Sequence, residues 1–168
     1  MGGSTYAGRL ERAKVLPEIF EIVKDAVQAR TGLSRGGLML GLAELGGSEG
    51  YFIGGLYPVA TNVIVMNKGP MARIKANRPE LYHPYVFHIL LHEYLHAIGY
   101  MDEEQTRKKA FDISRALFGE MHPTTAIARD LTSILPFVRY AVPQKTPEDM
   151  QIELVKGFDL GSCSSYIC

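Results

Sequence analysis

The chain has 168 residues, long enough for one domain with a real core, and we read 1–168 as a single domain. Hydrophobic residues make up 46% and charged residues 21%, which is the balance of a globular protein. Eighteen Lys and Arg offset 18 Asp and Glu, so there is no general electrostatic footprint for nucleic acid or anionic lipid, and no nucleic-acid partner is expected. No stretch approaches the length of a membrane span, and the start, Met1-Gly2-Gly3-Ser4-Thr5, has no apolar signal region. The only cysteines, Cys163 and Cys168, are too few and too close to the end for a disulfide framework, so a cytoplasmic location is expected.

Leu16, Ile19, Phe20, Val23 and Val27 form an amphipathic stripe, which predicts an N-terminal helix with Pro17 in its first turn and Gly32 at its stop. Leu38–Leu45, Tyr51–Tyr57 and Val63–Met66 are short apolar runs, the last of them mostly β-branched, so they read as strands around the turn cluster Gly46–Gly50. Gly54 and Gly55 predict a bulge or a close backbone approach. An edge strand carrying them could accept an extended peptide by strand addition. Gly69-Pro70 breaks the strand pattern, and Met71–Tyr82 predicts a short helix ending before Pro79.

Pro84–Tyr100 reads as a helix that is apolar nearly all round, and therefore buried. It contains His92-Glu93-Tyr94-Leu95-His96, the H-E-x-x-H arrangement. Residues four apart share a helical face, so His92 and His96 can grip one metal ion. Glu93, about 100° further round the helix than His92, stays off the metal but within reach of a water bound to it. Two imidazoles, an open position and a carboxylate base are the parts of a hydrolytic Zn²⁺ site. Asp102–Gly119 predicts another helix, with Asp102 and Gln105 in a capping-box relation. A further helix carries Ile127, Leu131, Ile134 and Leu135 and stops at Pro136, and a last short one runs from Thr146-Pro147 to near Gly157. The fold class is α+β: an N-terminal helix, a short antiparallel or mixed sheet, the H-E-x-x-H helix and further helices.

A catalytic zinc usually takes three protein ligands. His122 is the first choice for the third, because a helix–turn–helix path can return it to the metal. Asp102 is the alternative, completing H-E-x-x-H-x-x-G-x-x-D with Gly99 in the turn, although Asp is also a good N-cap. Glu103 and Glu104 fall in a first helical turn, where acids are favoured in any case. His88, one turn before His92, reads as a cleft-wall or core residue.

On these residues the chain resembles the minigluzincins, small zincin-type zinc metallopeptidases, over roughly 38–135. The resemblance implies Zn²⁺ as cofactor, a peptide or protein substrate, His92, His96 and His122 as ligands, Glu93 as general base, and latency imposed by a C-terminal segment. The Gly99/Asp102 spacing is also similar to metzincins, with Met121 offered for their methionine turn. Leu95-His96-Ala97-Ile98-Gly99-Tyr100 is similar to the bacterial rRNA-maturation endoribonucleases, whose pattern has glycine at Glu93 and an Asp-His pair at Met101-Asp102. The segment 143–168 carries both cysteines. Its end, Gly157–Cys168, is expected in or near the cleft of its own chain or a neighbour's, which would make a homo-oligomer through this segment.

Overall fold

The structure, a computed structural model, describes residues 5–48, 50–141 and 151–158. Two helices open it. The first, α1 (Tyr6–Arg12), has no counterpart in the sequence reading; Thr5 caps it, accepting the Gly8 N–H at 2.9 Å. The second, α2 (Leu16–Thr31), follows the apolar stripe, buries Ile19, Phe20, Val23 and Val27, and ends where Gly32 turns left-handed at φ 73°.

Strands β1 (Met39–Ala43), β2 (Gly47–Ser48), β3 (Tyr51–Ile53), β4 (Gly55–Leu56) and β5 (Val63–Asn67) follow. Gly69-Pro70 proves to be the start of a helix, α3 (Lys68–Asn77), rather than a break. Asn67 caps that helix by accepting the Gly69 N–H, and proline in a first turn gives up only an N–H that has no helical partner. Helix α4 (Tyr82–Ala97) carries the H-E-x-x-H residues, and α5 (Glu103–Phe118) follows it. The next predicted helix is two short ones, α6 (Pro123–Arg129) and α7 (Leu131–Ile134), divided at Asp130, whose carboxylate caps the second. Strand β6 (Val138–Arg139) comes next, and β7 (Glu153–Leu154) stands where the end of a last helix was expected. Residues 142–150, where that helix would begin, lie outside the described part, as do residues 159–168 with the whole Cys163–Cys168 stretch. Of the expected inhibitory tail only Gly157 and Phe158 are described; Phe158 stacks on Phe20 in the core, ring centroids 4.0 Å apart.

The strands make a mixed sheet in the order β4-β5-β1-β7 and a small one in the order β2-β3-β6. The parallel β1–β5 pair is its centre, with β4 and β7 antiparallel on either side. Helix α4 packs between this sheet and the helices α2, α5 and α6, and every residue from Pro84 to Ala97 is buried. Burying each large apolar side chain there contributes about 1.5–3 kcal/mol, which is what holds a helix with three buried histidines and a buried glutamate in the interior. Arg35 ties its end to the neighbouring loop: Nη1 donates to the Ala97 carbonyl and the Tyr57 hydroxyl, both at 2.9 Å, and Nη2 to the Thr61 carbonyl at 2.8 Å.

The glycine pair of β3–β4 is explained by close approach. A Cβ on Gly54 would stand 2.9 Å from Ile89 Cδ1, and one on Gly55 2.7 Å from Ile89 Cγ2, so this strand lies against α4 only because it has no side chains there. The edge expected to receive a peptide is covered along β3 and not along β4, which carries Gly55 and ends its own sheet. β6 lies parallel along β3, with Phe52 N–H donating to Phe137 O at 2.7 Å and Gly54 N–H to Arg139 O at 3.0 Å. Val138 is fully buried, so this segment belongs to the core.

Candidate metal centre

The i, i+4 spacing on α4 brings the His92 and His96 rings together, 4.8 Å between centroids, with their Nε2 atoms 3.2 Å apart. After α4 the chain turns sharply at Gly99, φ 120°, and the Tyr100 N–H returns to the Leu95 carbonyl at 2.9 Å. This turn starts α5 directly beside the histidine pair. Asp102 is its N-cap, accepting the Gln105 N–H at 2.8 Å, and the next side chain, Glu103, points inward. Glu103 Oε1 lies 2.8 Å from His92 Nε2 and 3.0 Å from His96 Nε2.

The third member of the group is therefore Glu103, not His122. His122 is the N-cap of α6: its Nδ1 accepts the Thr124 N–H at 3.1 Å and its ring packs on Phe118 at 4.8 Å. It lines a separate cavity of about 660 Å³ with Leu10, His83 and Pro84, and burial lowers its pKa. Asp102 spends its carboxylate on the cap, as the capping-box reading had it. Of the residues named from sequence, the structure brings together His92, His96 and Glu93, and leaves His122 and Asp102 in structural roles. Position alone gives Glu103 no distinction, because acids are common in first helical turns. The cap was legible, but its consequence was not: with Asp102 turned to Gln105, the chain's turn at Gly99 leaves the neighbouring carboxylate facing the histidines.

The three atoms fit a metal. Ligands about 2.0–2.1 Å from a tetrahedral ion stand roughly 3.3 Å from one another, a few tenths of an ångström more than the 2.8–3.2 Å seen here. The donor chemistry agrees. His96 Nδ1 donates to the Tyr100 carbonyl at 2.6 Å, so in neutral His96 the Nε2 lone pair is bare and faces a carboxylate oxygen. Three electron-rich atoms so placed call for a cation or a proton.

The protonation equilibria carry that demand. Burial disfavours the His96 imidazolium, but Glu103, Glu93 and the Tyr100 carbonyl outweigh it and raise the pKa above its ordinary value. Burial works against the Glu103 carboxylate too, yet the bonds from His92 and His96 bring its pKa down to about 2. In the metal-free protein, His96 therefore contributes stability that is full below its unfolded pKa and is lost as pH rises through the raised value. Glu103 contributes stability that is present above its unfolded pKa and is lost as pH falls through about 2. Metal binding needs a neutral imidazole, so it runs the other way from His96. The gain in Tm on adding zinc is expected to grow from pH 5.5 to pH 8; a gain independent of pH over that range would count against His96 as a ligand.

Around the group the walls are closed. His92 is 0% and His96 2% exposed, while the Glu103 side chain, at 20%, is the member that meets solvent. Tyr140, just past β6, stacks on the His92 ring at 4.4 Å and 21°, and the Arg107 guanidinium lies 4.5 Å from the centroid of the tyrosine ring. The Tyr140 hydroxyl is 2.6 Å from Nε2 of His88, which is fully buried, and burial with the neighbouring His92 pushes His88 down to about 3. Glu93, 3% exposed, lies against Gly55 of β4. Burial raises its pKa against the opposing pull of His92 and His96 and of the hydrogen bond from the Tyr57 backbone.

Among the described residues no helix is long and apolar enough to cross a membrane. No family model matches the chain, and neither a curated protein nor a solved structure matches it.

Proposed function

We propose that the protein is a zinc-dependent metallopeptidase with His92, His96 and Glu103 as ligands and Glu93 as general base. The observation that carries this reading is the convergence of the three ligand atoms beside a fourth, acidic side chain that is not itself in the group. Zinc held there would supply a Lewis acid for a carbonyl oxygen and lower the pKa of a water molecule. The chain's own residues do the rest. Glu93, buried and raised in pKa, takes a proton from the attacking water and passes it to the leaving amine. The Tyr100 carbonyl orients the His96 imidazole by accepting its Nδ1 proton, and the closed walls keep other water out. Asp102 is engaged as a cap, which takes support from the metzincin ligand set. Glu93 has no place in the nuclease pattern, and the neutral overall charge gives RNA no basic surface.

Latency belongs to the same proposal, since burial of both histidines leaves little room for a substrate. The experiment is a peptide-library and casein assay beside an RNA cleavage assay, with and without chelator, on the full chain and on a chain cut after Phe158. Cutting there spares the Phe158–Phe20 stack, which a cut after Lys156 would remove. Zinc-dependent peptide cleavage, rising in the shortened chain, is the expected result. Metal-dependent RNA cleavage without peptidase activity in either form overturns the reading.

A further inference from the structure

His88 is a fully buried imidazole with no part in the ligand set or in the proton transfers given to Glu93. One of its nitrogens is engaged: Nε2 lies 2.6 Å from the Tyr140 hydroxyl oxygen. The other, Nδ1, is buried and has no hydrogen-bond partner among the described residues. This asymmetry decides the tautomer. A buried N–H left unpaired is rarer and more costly than a bare acceptor atom, so the proton of neutral His88 belongs on Nε2. Nε2–H then donates to the Tyr140 oxygen, and the Tyr140 hydroxyl proton is left to point elsewhere. The phenol is held on two more sides, by the parallel His92 ring at 4.4 Å and by the Arg107 guanidinium 4.5 Å from its centroid.

We infer that Tyr140 is a catalytic hydrogen-bond donor to the substrate carbonyl oxygen as negative charge develops there, and that His88 is the positioning residue that aims its proton. The inference rests on the reading of this site as a peptide-hydrolysing centre. A donor fixed before the reaction is worth more than one that must reorganise, and losing one such donor lowers kcat by about 100-fold or more. Nine tyrosines are present in the chain; the contacts with His88 and His92 select this one.

The test has four readouts on the full-length, zinc-loaded protein. In protein labelled with ¹⁵N at histidine, His88 should show a protonated Nε2 and a bare Nδ1 by NMR. In Tyr140→Phe, zinc stoichiometry should be unchanged, kcat on a quenched peptide should fall about 100-fold, and KM should move little. Calorimetry should show a phosphinic peptide, a mimic of the tetrahedral transition state, losing affinity by a similar factor. His88→Phe should lower kcat in the same way and add little to the loss already caused by Tyr140→Phe. The opposite tautomer, or a kcat that stays level or rises in Tyr140→Phe, overturns the inference while leaving the peptidase reading in place. A wild-type protein that neither cleaves peptides nor binds the phosphinic peptide, both as the full chain and cut after Phe158, ends both.

Discussion

Glu103→Ala is expected to abolish stoichiometric zinc binding, and His122→Ala to leave it intact. Glu103 Oε1 is the atom that both Nε2 atoms face, at 2.8 and 3.0 Å, and its charge offsets the ion. Its removal leaves two imidazoles for an ion that prefers three protein ligands in open sites. Outer partners of metal ligands are worth 10–100-fold in affinity, so loss of a ligand should exceed about 100-fold. His122→Ala removes an N-cap from α6 instead, with an expected cost of about 1 kcal/mol in stability and none in metal. Asp102→Ala should resemble it, through the cap of α5. Metal analysis with a competition titration separates the three variants. Zinc retained in Glu103→Ala and lost in His122→Ala would restore the helix–turn–helix ligand path and remove the basis of the site described above.

The sequence showed elements and faces well where one physical cause dominated. The stripe on α2, the all-round burial of α4 and the Asp102 cap each follow from a single rule of periodicity or capping, and all three are present. It failed where two rules compete within a few residues. Gly69-Pro70 ends strands and also opens helices, and the polar Asn67 cap decided for the helix. Pairing across long separations was not legible at all: β7 adds to β1, and β6 to β3, because those edges have backbone groups to satisfy, not because 138–139 or 153–154 has a strong strand pattern. The site divides in the same way. His92, Glu93 and His96 are fixed by helical spacing alone. Glu103 and Tyr140 reach the group through the Gly99 turn and the β3–β6 pairing, and no local pattern announces either.

Glu93→Gln is expected to keep the zinc, lower kcat by roughly 100- to 10,000-fold, and leave the protein as stable as before or more so. The kinetic loss is the usual worth of a positioned general base. Glutamine fills the same volume, and its amide oxygen can still accept the Tyr57 backbone N–H, so the wall between α4 and β4 stays packed. The stability argument follows from the direction of the pKa. Burial raises Glu93, so the folded protein binds that proton more tightly than the unfolded chain does. The benefit is present at low pH and is lost as pH rises through the folded value, which leaves the carboxylate a burden at neutral pH. A neutral amide relieves it. A purely structural role for Glu93 predicts the reverse, unchanged chemistry with a lower Tm. The two are separated by measuring kcat, zinc content and Tm on one preparation at pH 7, and activity within tenfold of the wild type would remove Glu93 from the mechanism.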